Sequence, residues 1–356
     1  MNSIPLPNSF FSGHFTEGHV QGIAIDLDKK HVYYSFTTLL VKTDFDGNII
    51  GTVNRIAGHL GCITFDADRR KVYGSLELKH DSIGAGIIKR TGWDPSTEDA
   101  FYLVEFDCDA IVRKDMSAET DKVMRAVWLR EAIEDYNAID EVSGKKHRYG
   151  CSGIDGTAYG AEFGKDKKDR KKITVCYGIY SDVEREDNDH QVILQYDPSV
   201  FDNYGKELLQ SEPHHSGPDK CEKRYFLYTG NTRWGVQNFE YDPYTDSYFA
   251  AVYKGTKEWY PNFPLFVIDQ KAEPTLCVLK GRKDEQGLLL TLKKVGKQKD
   301  IATPGVDFAH GSTGFFACGD GTYYISHSHR RAEDNAQSST VYRYTLTDND
   351  DMFKIM

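Results

Sequence analysis

Three histidines stand at matching places along the chain. His19-Val-Gln-Gly-Ile-Ala-Ile-Asp26, His59-Leu-Gly-Cys-Ile-Thr-Phe-Asp66 and His310-Gly-Ser-Thr-Gly-Phe-Phe316 each run from an imidazole through glycine into an apolar strand-like segment. Trp234-Gly-Val-Gln-Asn-Phe-Glu-Tyr-Asp242 puts Gln237 and Asn238 at the corresponding place. Imidazoles and an amide gathered from separate segments suit a divalent ion such as Mn, Zn or Ca, since transition-metal sites take three or four N or O donors at roughly 2.0–2.2 Å. His19, His59, His310 and Gln237 are the candidate metal ligands, and the competing role for each histidine is a hydrogen bond to a loop backbone.

Proton-transfer groups are present as well. Asp155 and Glu240 interrupt the apolar pattern where the matching segments carry Ala24 and Thr64, and with Glu77 they form the candidate acid/base set. Glycoside cleavage uses two such carboxyls roughly 5–9.5 Å apart. Arg233 and Lys254 are candidates for binding substrate anions, and Trp234 and Trp259 for stacking on a ligand, with Trp93, Tyr260 and Phe263 on neighbouring loops. His80 adds a polar group, and His327 and His329, two apart on a strand, face the same side. Asp26, Asp66 and Asp242 end their segments and suit turn closure, where an Asp side chain hydrogen-bonds the backbone two residues on. Gly150-Cys-Ser-Gly153 lacks the Gly-x-Ser-x-Gly pattern of a nucleophile elbow, and Gly84-Ala-Gly86 lacks the third glycine and following helix of a dinucleotide site.

These residues need a scaffold that brings distant segments together. Short runs rich in Tyr, Phe, Val, Ile and Thr recur from end to end, bounded by Gly, Asp, Pro or Lys turns, as β-strands are. The first cluster, 22–26, 32–36, 40–44 and 48–53, holds four strands in about forty residues, the size of one propeller blade. Inner-strand markers follow near 62, 153, 238 and 314. Three further strands are predicted in each interval: 71–77, 101–106 and 124–129; 173–180, 191–196 and 224–229; 247–253, 265–269 and 288–292. The segment at 119–136 also allows a helix after its strand. The last blade supplies 314–318, 322–326 and 340–345, and 9–15 from the N-terminus completes it, so that pairing the chain ends leaves no open sheet edge.

The strand periodicity and the Gly-x-x-x-Asp marker resemble the β-propeller superfamily of lactonase-like and sugar-processing type. The expected fold is all-β, one five-bladed propeller over 1–356 with four antiparallel strands per blade. The strand-two to strand-three loops, 78–99, 181–190, 254–264 and 327–339, then share a face with the starts of the inner strands. Long loops on one rim of a rigid scaffold are where binding and catalysis concentrate.

Composition narrows the function classes. The 356 residues carry 44 Lys and Arg against 54 Asp and Glu, a net charge of −10. That balance argues against a sequence-independent nucleic-acid or anionic-membrane binder, which needs a basic surface. Seven scattered cysteines without a C-x-x-C pair read as reduced thiols. With no apolar run of about 18 residues and no signal-like start, a cytoplasmic location is expected. Two functions follow: a metal-assisted lyase or hydrolase acting on a carbohydrate-like or small hydroxylated or anionic ligand, or a non-catalytic propeller that binds a ligand or partner protein through the same rim. A small molecule or oligosaccharide is the expected partner, with neither nucleic acid nor membrane.

Overall fold

Alternating apolar residues bounded by Asp-containing turns fold into antiparallel strands, and in the computed structural model these assemble as a five-bladed β-propeller. The structure describes residues 6–93, 98–141, 143–295, 302–348 and 352–356. The inner strands are Val20–Asp26, His59–Asp66, Cys151–Gly160, Arg233–Asp242 and Phe315–Ala317. Each touches the next in turn, and the last returns to the first. Blades one and two follow the predicted strands closely, as Val20–Asp26, His31–Phe36, Leu39–Asp44 and Ile49–Asn54, then His59–Asp66, Lys71–Leu78, Ala100–Asp107 and Met124–Trp128. At the other end of the chain Ser9–Phe11 pairs with Gln337–Leu346, Ser9 opposite Tyr342.

Four uniform strands per blade is not what forms: the sheets hold five, four, six, three and five strands. The run predicted at 288–292 is divided between two blades. Gln286–Leu289 pairs in parallel with Lys223–Tyr228 of blade three and antiparallel with Thr275–Val278. Residues 291–293 instead run beside blade four, where Asp269 N–H donates to Thr291 O and Lys293 N–H to Val267 O. The predicted rim loop at 327–339 is largely sheet as well. Thr322–Arg330 and Gln337–Leu346 stay paired out to Arg330 opposite Gln337, so His327 and His329 sit within a long hairpin.

Turn aspartates hold the far face. Asp26 accepts the N–H groups of Asp28 and Lys29, and Asp66 those of Asp68 and Arg69. Asp242 does the same for Tyr244 and Thr245. Second-strand tyrosines complete these carboxylates: Tyr73 donates to Asp66, and Tyr323 reaches across to Asp242 of the preceding blade. Tyr33, Tyr73, Tyr177, Tyr248 and Tyr323 are fully buried between sheets. Each such ring contributes on the order of 1.5–3 kcal/mol by removal from water.

Among the described residues three α-helices decorate the ring, the shortest being Val200–Tyr204. Arg130–Asn137 follows the strand at 124–128, as the sequence allows. Ser82–Thr91 lies inside the segment read as a loop and contains Gly84-Ala-Gly86. Asp81 caps its start by accepting the N–H groups of Ile83 and Gly84, and Gly92 ends it in the left-handed conformation. No helix among the described residues is long and apolar enough to cross a membrane.

A candidate active site at the axial mouth

Strand pairing in blade two builds the first part of the site. His59 lies directly opposite Glu77, and the alternation of a strand puts Glu77 and Lys79 on the same side. His59 Nδ1 stands 3.5 Å from Glu77 Oε2, and Lys79 Nζ stands 2.9 Å from the same carboxylate oxygen. Lys79 also reaches Asp81 at 3.5 Å and donates to Ser152 O at 2.7 Å. The other oxygen of Glu77 accepts the Ile154 N–H at 2.6 Å. The pair thus joins blade two to the bulged start of blade three, where the register slips between Cys151 and Gly153 and again between Ile154 and Thr157. Gly153 sits at φ 133°, and a Cβ there would lie 1.9 Å from Glu77 Oε1, so only glycine lets the carboxylate approach this backbone.

Both members of the pair are charged. Burial alone would raise the Glu77 pKa, but Lys79, aided by His59, holds it below the usual carboxylate range. Burial would likewise lower Lys79, yet Glu77 and Asp81 keep its ammonium above the ordinary value.

Asp155 behaves in the opposite way. Its Oδ1 is buried with no hydrogen-bond partner, in space left by Gly61, where a Cβ would come within 2.4 Å of that oxygen. Burial pushes its pKa up to about 7; His59 and Lys79 oppose the rise, while the charge of Glu77 adds to it. One mouth therefore holds an ionised carboxylate beside a carboxyl that keeps its proton to neutrality, the divergence that separates acid from base in catalytic carboxyl pairs.

These groups line a cavity of about 470 Å³ together with His19, Gln21, Arg90, Gln237, Trp234 and Tyr253, closed on one side by Ile83 and Ile87 of the helix. The volume falls within the range of about 300–1,000 Å³ that suits a small ligand. Burial, with the nearby His59 and Arg90, lowers His19 to about 4, so at neutral pH it is an uncharged imidazole beside the Gln21 amide. Trp234 lies at φ 67° with Gly235 at φ 73°, in a register shift between Arg233 and Val236.

The cavity thus gathers His19, His59, Glu77, Asp155, Trp234 and Gln237 from the sequence reading. It leaves out the rest. Glu240 is buried deeper in blade four, where it accepts the Ala317 N–H at 2.8 Å. His310 does not join His19 and His59. Blade five's inner strand is only three residues long and begins at Phe315, so His310 falls in the preceding loop, its ring stacked on His327 with centroids 3.7 Å apart. His327 bonds the Tyr344 hydroxyl, and His329 and Arg233 are exposed. His80 pairs with Asp99, Lys254 with Asp307, and Trp259 is 65% exposed on the outer rim.

The candidate metal ligands are brought together only in part: His19, His59 and Gln237 line the cavity and His310 does not. Gln237 donates one amide N–H to Trp234 O, a bond in which its amide oxygen takes no part. Among the described residues no three His, Cys, Asp or Glu side chains are grouped to hold an ion. Sequence reasoning also missed Lys79 and Arg90. The alternating Glu77-Leu-Lys79-His-Asp81 carried the signal for Lys79, and Ile83, Ile87 and Ile88 between Asp81 and Gly92 that for the helix bearing Arg90.

No protein-family model matches the chain, and no curated protein matches it. Among solved structures, the chain is similar to the arabinanase Arb43A of Bacillus subtilis, at 9% identity and TM-score 0.40 over 94% of this chain and 97% of that one. It is similar to the hydrazine synthase of Kuenenia stuttgartiensis, at 9% identity and TM-score 0.39, with 92% of this chain covered and only 64% of the other. A third is the PQQ domain of pyranose dehydrogenase from Coprinopsis cinerea, at 9% identity and TM-score 0.39, covering 90% and 81%. Likeness at this level assigns no activity, and the five-bladed plan itself stands on the strand pairing described above.

Proposed function

We propose that the axial cavity is an acid–base site that hydrolyses a bond in a small hydroxylated ligand of carbohydrate type. The observation that carries this reading is Asp155, a carboxyl in the wall of an open cavity whose buried oxygen has no partner and whose pKa stands at about 7. Hydrolysis requires two proton movements. As water oxygen bonds to the reacting carbon, its proton passes to a base; as the old C–O bond breaks, the leaving oxygen takes a proton from an acid. Asp155 supplies the acid. His59 supplies the base, its Nδ1 side turned to the Glu77 carboxylate so that the Nε2 lone pair accepts. Solvent then returns the proton from His59 to Asp155. Trp234 offers a ring face and Gln21, Gln237, Ser152 and Tyr253 offer hydrogen bonds, the combination that suits a polyhydroxylated ring.

A panel of aryl glycosides, with phenol release as the readout, tests the reading. The wild-type rate is expected to fall as pH rises through about 7, because Asp155 then loses its proton. Asp155→Asn is expected to be slower by roughly 10²-fold or more with an unchanged circular dichroism spectrum. A panel with no turnover, or a variant as fast as the wild type, removes the hydrolase reading. Ligand binding without turnover in both proteins favours a non-catalytic binding rim.

A further inference from the structure

Arg90 stands between two cavities. It lines the axial cavity, and it also lines a second one of about 300 Å³, walled by Thr16, Glu17, Thr38, Asn54, Arg55 and Trp93. Its guanidinium reaches from the last turn of the Ser82–Thr91 helix toward the start of blade one, where a Cβ on Gly18 would lie 3.4 Å from Nη2. Arginines elsewhere are mostly paired: Arg55 with Glu119, Arg70 with Asp26 and Asp109, Arg125 with Glu105, Arg282 with Asp140 and Glu285. Among the described residues Arg90 has neither an ion pair within 4.0 Å nor a hydrogen bond. Glu17 is the one carboxylate that acts on it, and it does so from the second cavity.

Among the residues lining the axial cavity, Glu77 is paired with Lys79, His19 is uncharged, and Asp155 keeps its proton up to about pH 7; Asp81, which also reaches Lys79, is outside that lining. The cavity lining thus presents one guanidinium without an ion pair, in a chain of net charge −10. A guanidinium offers planar paired donors matched to the oxygens of a carboxylate or phosphate. Beyond it, Thr38 and Asn54 continue the polar lining, and the Trp93 ring lies under the Arg55 guanidinium at 5.6 Å.

We infer that the ligand carries an anionic group, which Arg90 binds, and that it extends past Arg90 so that a second ring reaches Trp93. The substrate class is therefore an acidic oligosaccharide or a similarly elongated hydroxylated acid. This rests on the carbohydrate-type reading of the axial cavity and adds its charge and length.

Binding, not turnover, provides the test. Calorimetry on wild type, Arg90→Met and Asp155→Asn uses three probes: inorganic phosphate as a sugar-free anion, cellobiouronic acid, and neutral cellobiose. The acidic disaccharide is expected to bind the wild type at least ~10-fold more tightly than cellobiose, with the advantage shrinking as salt rises. Phosphate is expected to compete with it. Arg90→Met is expected to bind the two disaccharides alike, and Asp155→Asn to keep the preference although its turnover is lost. Equal binding of the two by the wild type, a preference that survives in Arg90→Met, or no saturable response to phosphate and acid below roughly 50 mM overturns the inference. Loss of turnover in Asp155→Asn alongside any of these results sinks the charge assignment alone.

Discussion

Lys79→Met is expected to lower the stability of the fold by about 3–5 kcal/mol, read as a large drop in the urea midpoint at pH 8. The lysine side chain is 4% exposed and its partner Glu77 7%. Its removal leaves a carboxylate buried between blades two and three with no counter-ion, and strips Ser152 O of its donor. An uncompensated buried charge costs far more than the pair contributes, so the loss is asymmetric. The orphaned Glu77 would take up a proton more readily, and the deficit is therefore expected to shrink toward pH 5. Glu77→Gln combined with Lys79→Met removes both charges while keeping an acceptor for the Ile154 N–H, and it is expected to regain part of the loss. A single variant within about 1 kcal/mol of the wild type, well below the expected 3–5 kcal/mol, would show that the pair does not join the blades.

Glu240→Gln is expected to act in the other direction. Glu240 has no cation within ion-pair reach among the described residues; burial raises its pKa to about 8, against only the Ala317 N–H and a distant Lys171 on the lowering side. The carboxyl titrates near the ordinary 4.5 when unfolded. A folded pKa above the unfolded one means that the native state holds the proton more tightly. The stability it contributes is complete below about pH 4.5 and is lost progressively as pH rises through about 8. Glutamine keeps an acceptor for Ala317 and cannot ionise. The variant is therefore expected to match the wild type near pH 4.5 and exceed it above pH 8 by up to about 5 kcal/mol. Parallel stability curves for the two proteins from pH 4 to 9 would contradict the assignment. Asp155 adds a loss of the same sign between about 4 and 7.

The sequence pattern exposed the fold more fully than the site, for physical reasons. Strand alternation is local, and Asp26, Asp66 and Asp242 mark the ends of three inner strands because each folds its own turn. Blade membership is not local. The segment at 286–293 is equally strand-like throughout, and only tertiary pairing assigns its first half to blade three and its end to blade four. The Ser82–Thr91 helix was hidden by Gly84 and Gly86, which weaken its propensity. Gly84 is there because a Cβ would lie 1.7 Å from Lys79 O.

The site divides along the same line. The sequence pattern singled out His59 and Glu77 separately, as a metal ligand and an acid/base group, without their pairing across the hairpin, and the broken apolar pattern singled out both Asp155 and Glu240. Which of those two carboxyls faces a cavity depends on bulges and on Gly61, features without a periodic signature. His310 resembles His19 and His59 in sequence because each precedes a glycine-rich strand start. Gly311 and Gly314 in left-handed conformations turn the chain before the short last strand, and the ring goes to His327 instead.

The central claim is that a cavity-facing Asp155 holds its proton to neutrality. It is tested most directly by carboxyl ¹³C NMR, following the resonance that the wild type shows and Asp155→Asn lacks. A titration midpoint near 7 is the expected result. A midpoint near 4, the ordinary aspartate value, would mean that the group is ionised at neutral pH and unable to serve as the acid.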